Sequence, residues 1–264
     1  MSFITLQSIP LTVVACACCL TLPSHASNVC KVKSGAATAA LVELYTSEGC
    51  SSCPPADLQL RQLRQVLDAD AVVVPLALHV SYWDRIGWKD VFAQPLFDTR
   101  QTALLSGRAS RIVYTPQFFV NGEELRSWRN DLPATVRRVN ARPAPLTITL
   151  TSAPNASDSV ALEADVVATD PHLDGALYLA VSESGLVSQV TRGENSGATL
   201  RHDDTVRKWF GPIALKEGRA QLRQQITLPQ DWHRENLHAV AFVQNQGGVL
   251  QAISTAQCQP TRGL

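Results

Sequence analysis

The sequence predicts an α/β domain followed by a small all-β, sandwich-like domain, and three observations predict it. Apolar runs at residues 41–46 and 71–80 flank a helix-spaced stretch, the pattern of a β-α-β unit. The stretch Ala141-Arg142-Pro143-Ala144-Pro145 places two prolines in three residues, which resists helix and sheet alike. Beyond it the texture changes to apolar and polar alternation, broken by Gly, Asn, Asp and Pro. The expected divisions are 1–26, an export signal; 27–142, the α/β domain; and 143–264, the β domain.

Leu41 to Thr46 reads as a buried strand, and Ala56 to Leu67 carries Leu58, Leu60, Leu63, Val66 and Leu67 at mainly helical spacing. Ala71 to Val80 is apolar on both faces, as a parallel sheet requires. An aromatic, irregular stretch covers Tyr82 to Phe92, followed by a helix from Pro95 to Arg108 and a strand from Gln117 to Val120. Asn121-Gly122 signals a hairpin into a short strand around Leu125. Asp131 caps a last helix to Asn140, with Pro133 in its first turn. In the second domain, strands are expected at Leu146 to Thr151, Val160 to Ala168, Ala176 to Ser182, Arg219 to Leu228 and Leu237 to Gln244.

Net charge is zero and no run of Lys or Arg stands out, so no nucleic-acid or anionic-membrane footprint is present. Ile9 to Leu22 is mostly apolar and Ser24-His25-Ala26 fits a signal-peptidase site, which reads as a cleaved export signal. Val14-Ala15-Cys16 offers a lipoprotein alternative. The apolar run is short of the roughly 20 residues a membrane span needs, so no span is expected in the mature chain.

Removing the signal discards Cys16, Cys18 and Cys19 and leaves Cys30, Cys50, Cys53 and Cys258, an even set that suits an oxidising compartment. Cys50 and Cys53 are a local pair, so Cys30 and Cys258 remain as partners; free buried thiols are the other reading. Such a bridge would contribute on the order of 4 to 5 kcal/mol in the loop-entropy model.

Cys50-Ser51-Ser52-Cys53 lies at a strand-to-helix junction, where unpaired backbone N–H groups stabilise a thiolate. That makes Cys50 the attacking sulfur and Cys53, one turn inside, the resolving one. With Thr115-Pro116 ahead of the strand Gln117 to Val120, the order of elements resembles the thioredoxin fold. The resemblance implies a thioredoxin-like first domain, with Pro116 cis and packed against the redox pair. Parallel strands ending on one rim bring Cys50, His79 and Pro116 together.

Glu43, alone among apolar strand neighbours, is either a buried proton relay for Cys53, as that resemblance implies, or a residue that meets solvent or an Arg. His79, Trp83 and Asp84, with Trp88 nearby, add an imidazole, a carboxylate and two indoles beside the rim. They are either auxiliary site residues or members of a packed loop. A metal such as Cu(I) held by Cys50, Cys53 and His79 is the alternative chemistry, though no second ligand pair exists for a zinc site.

Three strings carry a closer resemblance: Leu44 to Asp57, His79 to Asp84 and Val113 to Gln117, joined by Arg192-Gly193-Glu194-Asn195-Ser196-Gly197 in the β domain. They resemble an exported bacterial thioredoxin-like family known only as a domain of unknown function. The resemblance implies export and the two-domain layout, and brings no substrate. Gly49 departs from thioredoxin proper, where an aromatic residue commonly precedes the first cysteine.

The sequence therefore points to an exported thiol-disulfide oxidoreductase, secreted or periplasmic, acting on protein thiols and disulfides or small thiols. The alternative is a copper-handling or ligand-binding module. No phosphate loop, serine nucleophile elbow or metalloprotease helix is present, and no cofactor is expected.

Overall fold

The structure is a computed structural model that describes Met1 and residues 29–258, apart from 109–110 and 156–157. The expected export signal, with Cys16, Cys18 and Cys19, lies outside the described residues beyond Met1. In chain order the elements are β1 (Cys30–Lys33), β2 (Ala40–Thr46), α1 (Pro54–Arg61), α2 (Leu63–Val66), β3 (Val73–His79), α3 (Pro95–Leu104), β4 (Gln117–Val120), β5 (Glu123–Glu124) and α4 (Trp128–Asn140). They continue as β6 (Leu146–Asn155), β7 (Ser159–Ala168), β8 (Ala176–Glu183), β9 (Leu186–Gln189), β10 (Thr199–His202), β11 (Thr205–Ala214), β12 (Arg219–Thr227), β13 (Leu237–Asn245) and β14 (Gly248–Ser254).

The expected fold class, an α/β thioredoxin-like domain followed by a separate β-sandwich, is corrected by the sheet topology. The described residues are mostly β, with 43% strand against 20% helix. An eight-stranded mixed sheet in the order β14-β13-β8-β11-β3-β2-β4-β5 takes four strands from each side of the 141–145 link. The join is parallel and brief: Thr205 of β11 pairs with Ala77 of β3, and the Ala77 amide donates to the Asp204 carbonyl at 2.9 Å. A second sheet, β1-β6-β7-β12, includes β1, which lies before the link yet pairs with β6 beyond it.

Alternation along the strands sorts the side chains into three cores. Ala40, Val42 and Leu44 of β2 face α1 and α4, with Ala56, Leu60, Phe118, Leu132 and Val136. Leu41 and Tyr45 face the other way, onto Phe97, Leu104, Phe119, Val240 and Phe242. The third core fills the space between the two large sheets, with Ile148, Leu150 and Ala164 against Leu179, Ala241 and Ile253.

Local boundaries differ in instructive ways. The helix expected over 56–67 breaks at Gln62 into α1 and α2, and α3 stops at Leu104. α4 starts at Trp128 behind Ser127, so Pro133 falls inside it and not in its first turn. β11 escapes the alternation pattern because register shifts interrupt it between Val206 and Lys208 and between Phe210 and Ile213. Gly211 is needed there: its φ is 102°, and a Cβ would meet the Leu177 carbonyl oxygen at 2.6 Å.

Candidate functional site

β2 delivers the chain to the rim at Thr46, and residues 47–53 turn it into α1. Cys53 is the residue that caps α1, with no side-chain cap bond. Pro54 and Pro55 occupy first-turn positions, where a missing N–H costs nothing. Cys50 and Cys53 form a disulfide, with S–S 2.15 Å and Cα–Cα 5.4 Å. Both residues are fully buried, and Cys50 Sγ lies 3.4 Å from Ser52 Oγ.

The Thr115–Pro116 peptide is cis. Trp83 binds this rim through Nε1, which donates to Thr115 Oγ1 at 2.7 Å. Trp83 also stands against Gly49, its Cβ 3.4 Å from where a Gly49 side chain would begin. The Cβ and carbonyl oxygen of Trp83 therefore stand beside the residue that precedes the first cysteine.

Behind the disulfide lies a buried polar cluster. His79 ends β3 on the α1 face, level with Thr46. Its Nδ1 is 2.7 Å from Asp90 Oδ2, while Nε2 is buried without a hydrogen bond. Glu48, fully buried, accepts from Trp88 Nε1 at 2.7 Å and meets His202 Nε2 at 3.1 Å. The His79 and His202 rings cross edge to face with centroids 4.9 Å apart. Asp57, one turn into α1 from Cys53, donates its amide to the Cys53 carbonyl at 3.1 Å.

The electrostatics follow from this packing. Burial pushes the Asp57 carboxyl above its ordinary pKa, against the pull of His79, His202 and the Thr46 hydroxyl. Burial opposes charge on His79, yet the Asp90 carboxylate outweighs it and raises the imidazole pKa. Burial likewise opposes charge on Asp90, which His79 and the Glu48 and Phe92 amides reverse, holding the carboxyl below its ordinary range. A cleft of about 200 Å³ between α1 and β10 opens beside Asp57, with Arg61 and Arg201 on its walls.

The chain beyond the 141–145 link also reaches the site. Asn195 Nδ2 donates to the carbonyls of Glu48 and Cys50 at 2.8 and 3.0 Å. Glu194 Oε2 accepts from Ser51 N and Oγ at 3.1 and 2.6 Å, and these bonds lower the Glu194 pKa.

Cys50, Cys53, His79, Trp83, Thr115 and Pro116 are thus gathered at one rim, whereas Glu43 and Asp84 have other work. Glu43 is on the opposite face of β2, where Arg100 Nε and Nη2 donate to its two oxygens at 2.6 and 3.0 Å. Tyr178, Trp209 and Phe242 surround that guanidinium at 4.7 to 5.4 Å. Asp84 accepts the Asp90 amide at 3.1 Å and shapes the loop. Cys30 and Cys258 form the second disulfide, S–S 2.07 Å, remote from the rim. Among the described residues, no group of three or more His, Cys, Asp or Glu side chains is arranged to hold a metal ion.

Glu48, Asp57, Asp90 and His202 are the site neighbours that sequence reasoning does not single out, whereas Glu194 and Asn195 belong to the 192–197 string that it does. The signals available were the position of Asp57 one turn after Cys53, and the polar string at 192–197 followed by His202.

Two solved structures are similar in fold. Protein AGR_C_4864 from Agrobacterium tumefaciens is 24% identical, with TM-score 0.57, covering 84% of this chain and 95% of that one. HBP35 of Porphyromonas gingivalis is 16% identical, with TM-score 0.65, covering 87% of this chain and 79% of that one. A comparison with curated proteins found no match. Residues 41–244, which hold the whole rim and the loop over it, match the family described as "Protein of unknown function (DUF1223)", and the chain belongs to that family.

Proposed function

We propose that Cys50 and Cys53 carry out thiol–disulfide exchange with protein or small-molecule partners. The observation that carries this reading is the Cys50–Cys53 bridge, seated at the start of α1 with Asp57 one turn behind it. In the reduced protein, the Cys50 thiolate attacks a partner disulfide. A Cys50–partner bond forms, the partner's own bond breaks, and its second sulfur leaves as a thiolate that takes a proton from water. Cys53 then gives its proton to Asp57 and attacks Cys50 Sγ. The mixed bond breaks, the partner leaves fully reduced, and two electrons have passed to it as the bridge reforms. The reverse sequence oxidises a partner dithiol.

Asp57 suits the proton step because a raised carboxyl pKa lies nearer to that of a thiol. The cleft beside it lets the proton pass on to solvent. The two disulfides fit an oxidising, exported location, secreted or periplasmic. Among the described residues no helix is long and apolar enough to cross a membrane.

The test is equilibration of the Cys50–Cys53 pair against glutathione, read by alkylation. A potential between about −120 and −270 mV, the span of known exchange proteins, is expected. Cys53→Ser should accumulate mixed disulfides through Cys50. A pair that stays oxidised at potentials well below −300 mV, the range of structural bridges, would refute the reading.

A further inference from the structure

An attacking sulfur has to reach a disulfide sulfur directly, yet both Cys50 and Cys53 have zero exposure. Part of what binds the 48–51 turn that carries Cys50 comes from far along the chain. Residues 192–197 lie between β9 and β10, and among the described residues these two strands pair only with each other, in a sheet separate from the two large ones.

The hairpin is attached at two places of different character. At its base, the His202 ring meets Glu48 inside the protein, where both side chains are shielded from water. At its tip, Glu194 is exposed, and its bonds to Ser51 are of the kind that water replaces at little cost. Asn195 spans the carbonyls on either side of Gly49, including that of Cys50 itself. Gly193, with φ 75°, brings the loop close to Trp88, whose Cβ lies 3.2 Å from where a side chain would start. The tip is thus held by polar bonds at or near the surface and the base by a buried pair.

We infer that residues 192–197 form a gate over the Cys50–Cys53 bridge, latched by Glu194 and Asn195, and that these two residues set how readily a partner sulfur gains access. The purpose of the gate rests on the exchange reading, but its existence is measurable without it. A gate slows reduction and oxidation alike and leaves the potential of the pair unchanged. A potential outside the exchange range would sink the exchange reading while leaving the gate intact.

The oxidised full chain is treated with dithiothreitol under native conditions, and each bridge is followed by alkylation and peptide mass. Asn195→Ala should speed reduction of Cys50–Cys53 about tenfold, and Glu194→Ala about threefold, with Cys30–Cys258 unchanged as the sign of an intact fold. Rates within twofold of wild type in both variants and in the double variant would overturn the gate. Hydrogen exchange on the unaltered protein gives an independent reading. The Ser51 amide should exchange together with the amides of 192–197 and faster than those of β2. Ser51 protection equal to that of β2 would also overturn it.

Discussion

The His79 and His202 rings meet edge to face, 4.9 Å between centroids, although one ends β3 and the other ends β10. Each imidazole has a carboxylate on one nitrogen, Asp90 for His79 and Glu48 for His202, and a buried nitrogen without a partner on the other. Two halves of the chain thereby share one set of acids and imidazoles immediately behind the disulfide.

Asp57→Asn should slow the second step of exchange and spare the first. With Cys53 intact, mixed disulfides should build up, and their resolution near neutral pH should fall by a factor on the order of 10². The deficit should shrink as pH rises and Cys53 ionises unaided. Stopped-flow alkylation across pH checks this; resolution at the wild-type rate at every pH would remove Asp57 from the proton step.

The His79–Asp90 pair should make stability depend on pH at both ends. His79 has a raised folded pKa, so its contribution is complete below the ordinary imidazole value and fades as pH climbs through the folded value. Asp90 has a lowered folded pKa, so its contribution is complete above the ordinary carboxylate value and fades as pH drops through the folded one. Between these limits Asp90→Asn should cost about 3 kcal/mol in denaturant unfolding, and less once His79 is neutral. Asp57, Glu48 and His202 also act on His79 or share its cluster, so the profile is best compared between variants.

Glu43→Gln should separate structure from chemistry. It leaves the Arg100 guanidinium among three aromatic rings without its carboxylate, at a cost of about 3–5 kcal/mol. The reduction potential of Cys50–Cys53 should not move, because Glu43 is on the far face of β2. A shifted potential in a folded variant would restore Glu43 as a relay.

Asp204 offers a third titration. Burial raises its pKa to about 7, against Arg64 and with Asp203. A carboxyl with a raised folded pKa binds its proton more tightly when folded, so this group makes stability fall as pH rises from about 4, the ordinary value, to about 7. Asn tolerates the left-handed backbone that Asp204 adopts at φ 53°. Asp204→Asn should therefore fold normally and flatten that part of the profile, as thermal melts between those pH values would show.

Much of the rim was legible because it is local. The apolar runs of β2 and β3, the cysteine spacing and Thr115-Pro116 are each read within a few residues, and parallel strands carry them to one edge. The fold class is not legible in the sequence because one parallel contact, Thr205 with Ala77, fuses what the prolines at 143 and 145 divide. No short-range pattern encodes such a pairing, and the bulges of β11 hide the strand that makes it. Glu43 was ambiguous because alternation says that it faces a side without saying which. Asp57 was passed over because it sits among polar helix positions, and only tertiary packing puts it beside two imidazoles.

The Cys30–Cys258 bridge fastens a strand that precedes the 141–145 link to the end of the described chain. A protease that cuts the link would therefore release no fragment. The two pieces would stay one molecule until that bridge is reduced, with the rim on one piece and the hairpin over it on the other.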